Sequence, residues 1–152
     1  MNVDGGCDAW REIAALVAGY GTAFDQRDAG RLRRLWLDDA TLDLGRAGRF
    51  DGPDAIVREA ERQWAGSAAM HHLCATPEIT LGGAEGRAST AVRALIVGLD
   101  GTATEIAGRY HDRFADRGGG WGILHREFDL VAVLRGGTWV AVRRAIPIAA
   151  GS

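Results

Sequence analysis

The sequence predicts one α+β domain, with helices in the first part of the chain and a hairpin-linked antiparallel sheet in the second. Three observations carry this. The 152 residues, 47% hydrophobic and 25% charged, suit one globular core. Apolar residues recur at helical steps of three and four as far as Trp64. Beyond Ala68 the turn signals LGGAEG, LDGT and DRGGGWG separate segments rich in Val, Ile, Thr and aromatic residues. Helices interleaved with strands would signal a parallel sheet, so their segregation points to an antiparallel one.

From Asp8, the stripe Ile13, Val17, Tyr20 and Phe24 predicts a first helix ending near Asp28. Leu32, Leu35 and Trp36 predict a short second helix as far as Leu37, followed by a brief strand over ATLDLG. Gly52 and Pro53 start a third helix, with Asp54 in its first turn where the helix dipole favours an acid. That helix presents Ile56, Val57, Ala60 and Trp64. Strands are expected at about 70–81, 86–98, 103–115 and 121–135, so the core spans about residues 8–135. In the tail, residues 136–152, TWVAVRRAIPIAA alternates as a strand up to Arg144 before Pro147 interrupts it. The tail either caps a cavity or extends a dimer surface.

Composition excludes several functions. The 18 basic residues are all arginine, which removes lysine Schiff-base chemistry. They are scattered and the net charge is -2, so nucleic acid is not an expected partner. No apolar run reaches the roughly 20 residues of a membrane span, and the acidic start MNVDGGCDAWRE does not read as an export signal. A cytoplasmic location with Cys7 and Cys74 reduced is therefore expected. His71, His72, His111 and His125 show no metal-ligand spacing, and no glycine-rich turn opens a helix, so neither metal nor cofactor is expected.

The segments YGTAFDQRDAGRLRRLWLDDATLDLG, GRFDGPDAIV, HHLCATPEITLGG, GRYHDRF and WGILHR occur in that order over about Ala9 to Arg126. As an ordered set they resemble the nuclear-transport-factor-2-like superfamily, and within it the SnoaL-like branch of polyketide cyclases and scytalone-type and bile-acid-type dehydratases. The resemblance implies a cone-shaped, strongly curved sheet that encloses a cavity with three helices. It also implies a homodimer and a small apolar or polyketide-like ligand.

On this resemblance Tyr20 and Asp25 match the tyrosine and aspartate of the dehydratases, and His72 matches an inward histidine. A carboxylate at a helix C-terminus beside an apolar cavity is expected to have a raised pKa suited to proton transfer; the alternative for Asp25 is a solvated helix-end acid. His71 and His72 point to opposite faces, so one of the two is expected to reach the cavity. Tyr110 is turned inward with Gly108, Asp112 and Phe114, and with Tyr20 it either stabilises an enolate oxygen or packs in the core. Arg126 matches an arginine that holds a carboxylate or enolate, the alternative being a simple surface or salt-bridged arginine, and a one-residue slip would exchange it with His125. Phe24, Trp36, Trp64, Cys74 and Phe114 are the expected substrate-binding wall. One departure is clear: where the dehydratases carry a second ionisable group, VRALIVG offers Leu95 or Ile96. The expected activity is cofactor-independent dehydration, isomerisation or cyclisation by Asp25 and His72, and the alternative is a non-catalytic ligand-binding or dimeric assembly module.

Overall fold

The computed structural model describes residues 3–142, with the side chains of the first helical residues, 3–5, left aside. Helix α1 runs Val3–Asp25, α2 Ala29–Arg34 and α3 Pro53–Ala65. Strands β1 Trp36–Asp43 and β2 Arg49–Asp51 fall between α2 and α3, on either side of a 3-10 turn at Gly45–Ala47. The remaining strands are β3 Ser67–Cys74, β4 Glu78–Gly82, β5 Glu85–Gly98, β6 Ala103–Asp116, β7 Trp121–Arg135 and β8 Thr138–Ala141. The expected domain order, helices early and long hairpins late, is the observed one.

The sheet runs β2-β1-β7-β6-β5-β3, with β4 also pairing β5 and β8 pairing β7. It is mixed, which corrects the antiparallel expectation: β1 lies parallel to β7, with Leu42 opposite Arg126. Segregation of helices and strands governs the late hairpins, but β1 is embedded among the helices and its partner arrives some 80 residues later. The expected strand at 70–81 is two strands, both antiparallel to β5. Pro77, which has no amide to donate, lies in the break between them.

The helix ends also differ from expectation. α1 stops at Asp25 because Arg27 takes φ 55°, and Asp28, expected as the last residue of α1, instead caps α2 by accepting the Arg31 amide at 2.8 Å. α2 stops at Arg34, and Trp36 and Leu37 belong to β1. The α3 start is as expected, with Gly52 at φ 84° and Pro53 in the first turn. The last strand stops at Ala141, short of Arg144, while Arg143, Arg144 and Pro147 lie outside the described residues.

Irregular register in β6 and β7 bends the sheet around the helices. At one of these bulges, a Cβ on Gly108 would sit 2.4 Å from the Asp129 carbonyl, so this close approach requires glycine. The inner face and the helices bury Ile13, Val17, Leu32, Ile56, Phe114 and Ile123 almost completely. Above this core the cone stays open.

Candidate functional site

α1 delivers Asp25 to the free edge of β3. An edge strand presents unpaired amides, and here the Asp25 side chain takes one of them: the His72 amide donates to Asp25 Oδ2 at 2.8 Å. The His72 ring turns inward and places Nδ1 2.6 Å from Asp25 Oδ1. Helix and strand come this close because Gly21, one turn before Asp25, has no side chain; a Cβ there would lie 3.3 Å from the His72 Cβ.

Burial pushes the Asp25 carboxyl up, but the hydrogen bonds from the His72 ring and amide, with the nearby imidazoles, outweigh it and leave the pKa lowered. This corrects the expected upward shift. The His72 ring contributes most to this reversal, and the edge-strand amide, which no local sequence pattern announces, adds to it. An ionised carboxylate accepts only, so the His72 Nδ1 carries the proton and Nε2 keeps a free lone pair. Asp25 thus fixes the orientation of the His72 ring and leaves Nε2 as the atom able to accept a proton.

His72 is 9% exposed and lines a cavity of about 730 Å³. Tyr20, Phe24, Val92, Ala94, Tyr110 and Phe128 share its wall. Tyr20 stands edge-on to His72 at 6.3 Å and to Tyr110 at 5.7 Å between ring centroids. Burial pushes the Tyr20 hydroxyl up to about 12 and that of Tyr110 well above its ordinary value, so both are protonated donors at neutral pH.

Behind the two tyrosines lies a charge pair: Arg126 is salt-bridged, one of its two sequence readings, to a partner that sequence reasoning did not assign. Arg126 Nε and Nη2 donate to the two oxygens of Asp112, both at 2.7 Å, and both side chains are fully buried. The guanidinium lies over the rings of Tyr20 and Tyr110 at 4.3 and 4.0 Å. Burial opposes its charge, but Asp112 prevails and its pKa is raised. The inward alternation of Tyr110 and Asp112 was readable; the pair needed the register that sets Asp112 opposite Arg126. Arg126 itself lies beneath the cavity wall, under the rings of Tyr20 and Tyr110.

The open alternatives are thereby settled. Arg126 faces inward and His125 outward, where its Nδ1 lies 2.5 Å from Thr41 Oγ1. His72 faces inward and His71 is exposed. Among the expected wall residues, Phe24 lines the cavity, whereas Trp36, Trp64 and Phe114 are buried in the core cluster with Cys74 packed against it. Burial pushes the Cys74 thiol up, which leaves it a poor nucleophile. On the strand VRALIVG, Ala94 reaches the cavity and Arg93 pairs with Glu105.

The cavity mouth was also missed. Glu59 accepts from Arg62 at 2.7 and 2.6 Å and from Gln63 Nε2 at 2.8 Å, and Arg46, Glu127 and Asp129 complete the rim. The Arg62 hydrogen bonds, opposed by burial, hold the Glu59 carboxyl below its ordinary value. Among the described residues, no group of three or more His, Cys, Asp or Glu side chains is arranged to hold a metal, and no helix is long and apolar enough to cross a membrane.

Comparison with known proteins agrees with this geometry. The profile of the SnoaL-like domain family matches residues 7–127. No curated protein matches the chain. A hexachlorocyclohexane dehydrochlorinase, LinA-type3, from Novosphingobium barchaimii superposes with TM-score 0.80 at 19% identity, covering 93% of this chain and 97% of that one. A candidate scytalone dehydratase from Novosphingobium aromaticivorans gives TM-score 0.80 at 19% identity over 98% and 99% of the two chains. A nuclear transport factor 2-like superfamily protein from Salmonella enterica gives 0.76 at 17% identity, over 97% and 99%. At these identities the likeness is one of fold.

Proposed function

Because this chain belongs to the SnoaL-like domain family, we propose that its cavity houses a cofactor-independent lyase or isomerase acting on a small, largely apolar, enolisable molecule such as a polyketide-like compound. The observation that carries the reading is the Asp25–His72 pair opening on the cavity. His72 Nε2 takes a proton from carbon next to a carbonyl, and Asp25 stabilises the imidazolium that forms. Electron density moves to the carbonyl oxygen, which accepts hydrogen bonds from the protonated hydroxyls of Tyr20 and Tyr110. The enolate then collapses by expelling a leaving group, by taking the proton back at another carbon, or by ring closure. The first outcome is a dehydration or a related elimination, and two structures sharing the fold carry names of that kind.

The Arg126–Asp112 pair supports this chemistry from behind. A fixed cation under both tyrosine rings favours negative charge developing at their hydroxyls, and its salt bridge holds those rings in place. The substrate does not touch it in this arrangement.

The test is a screen of enolisable ligands with His72→Gln alongside the wild type. Loss of a general base lowers the rate by roughly 100- to 10,000-fold, so His72→Gln should retain binding and lose turnover. Full turnover in that variant sinks the enzymatic reading. Ligand binding without turnover in either protein would instead favour the non-catalytic ligand-binding module.

A further inference from the structure

Asp25 faces a second imidazole that the mechanism above does not use. His71 Nδ1 lies 3.4 Å from Asp25 Oδ2, while His72 Nδ1 occupies Oδ1 at 2.6 Å. Consecutive residues of a strand point to opposite faces, and both rings reach one carboxylate only because β3 is the sheet edge and Asp25 sits across that edge. The two imidazoles differ in access: the His71 side chain is 65% exposed and that of His72 9%. One ring samples bulk pH and the other faces the substrate cavity.

We propose that His71 regulates the Asp25–His72 pair as a solvent-side competitor. While neutral, His71 leaves the carboxylate committed to His72; once protonated, it draws the carboxylate charge to Oδ2 and weakens His72 as a base. The inference rests on the reading of His72 as the base. Its sign follows from charge: Asp25 favours the imidazolium form of either ring, whereas one imidazolium disfavours the other. Acidification therefore disables the base in two ways, by protonating it and by charging its competitor.

Among the described residues, the other charged groups near the pair are engaged elsewhere. Beyond α1, Arg27 spends its guanidinium on the carbonyls of Ser67 and Ala68, at 2.7 and 3.1 Å. β5 places Leu95 opposite His71, and the next charged residue along it, Arg93, is paired with Glu105. From α3, Glu59 and Arg62 pair with each other. The Cys74 thiol on β3 is pushed up by burial and stays neutral.

The experiment is an NMR titration of both imidazoles in the whole chain, in wild type, His71→Gln and Asp25→Asn. In the wild type each ring should report two inflections, its own and its neighbour's. Two like charges held on one carboxylate repel each other, and that repulsion separates the two steps. In His71→Gln the His72 curve should collapse to one inflection; the exposure of His71 means that this variant keeps its fold. In Asp25→Asn the curves of both rings should change, because the carboxylate that they share has lost its charge. A His72 curve unchanged in His71→Gln, or a His71 curve unchanged in Asp25→Asn, overturns the proposal. No substrate enters the measurement, so coupled rings in a protein without turnover would sink the catalytic reading and leave the coupling standing.

Discussion

Two aspartates face each other's work inside this cone, and the contrast between them separates holding from reacting. Asp112 is fully buried against Arg126, a group that keeps its charge at any physiological pH, with both carboxylate oxygens engaged by one guanidinium. Asp25 is part-exposed at the sheet edge, and its oxygens are shared among an amide and two imidazoles, side chains able to take up a proton. The first pair is static and fixes the tyrosine floor. The second can respond to a proton, and it borders the cavity.

The largest expected effect breaks the static pair. Arg126→Met leaves Asp112 buried without its partner, a change that typically costs about 3–5 kcal/mol. Urea denaturation should show that loss, and the double variant Asp112→Leu/Arg126→Met should recover most of it, because removing both charges removes the desolvation cost as well. If the single variant were as stable as the wild type, Arg126 would not be the anchor of the floor.

A smaller effect separates the two carboxylates by pH. The Asp25 pKa is depressed in the folded chain from the ordinary 3.8. A depressed carboxyl contributes stability that is present above its unfolded pKa and is lost as pH falls through the folded one. Asp25→Asn should therefore be less stable than the wild type at neutral pH, by roughly 1–3 kcal/mol for hydrogen bonds to a charged group. Chemical denaturation at a series of pH values should show this gap holding to about pH 4 and closing below it. A gap that closed between pH 7 and 5 would place the stabilisation on the imidazoles instead.

What the sequence revealed of these two regions follows from how local each signal is. The stripe Ile13, Val17, Tyr20 and Phe24 is a helical period within one segment, and the turn at Gly52 and Pro53 is written in adjacent residues. Asp25 and His72 were found through the ordered resemblance, and the structure brings them within 2.6 Å. The shift of Asp25 was misjudged because its carboxylate accepts from both the His72 ring and the His72 amide, a geometry that only the folded contact of α1 with β3 sets. The pairing of Asp112 escaped notice because its partner is 14 residues away on the neighbouring strand, across a turn and a bulge that only the folded register fixes. The parallel pairing of β1 with β7 escaped for the same reason at longer range.

The smallest expected change, at Gly21, tests whether the reactive region depends on close approach as the static one depends on charge. In most helices Gly→Ala stabilises by roughly 0.5–1 kcal/mol, because alanine loses less backbone entropy. At Gly21 the added methyl would stand 3.3 Å from the His72 Cβ, so α1 or β3 must yield by a few tenths of an ångström. That displacement acts one helical turn from Asp25, on the two elements whose spacing sets the 2.6 Å contact. The two effects oppose each other in stability but not in activity. Gly21→Ala should thus unfold near the wild-type midpoint while losing several-fold in turnover as the contact of His72 with Asp25 lengthens. Wild-type turnover with raised stability would show that the strand edge absorbs the methyl, and that the Asp25–His72 geometry is held by the carboxylate and amide alone.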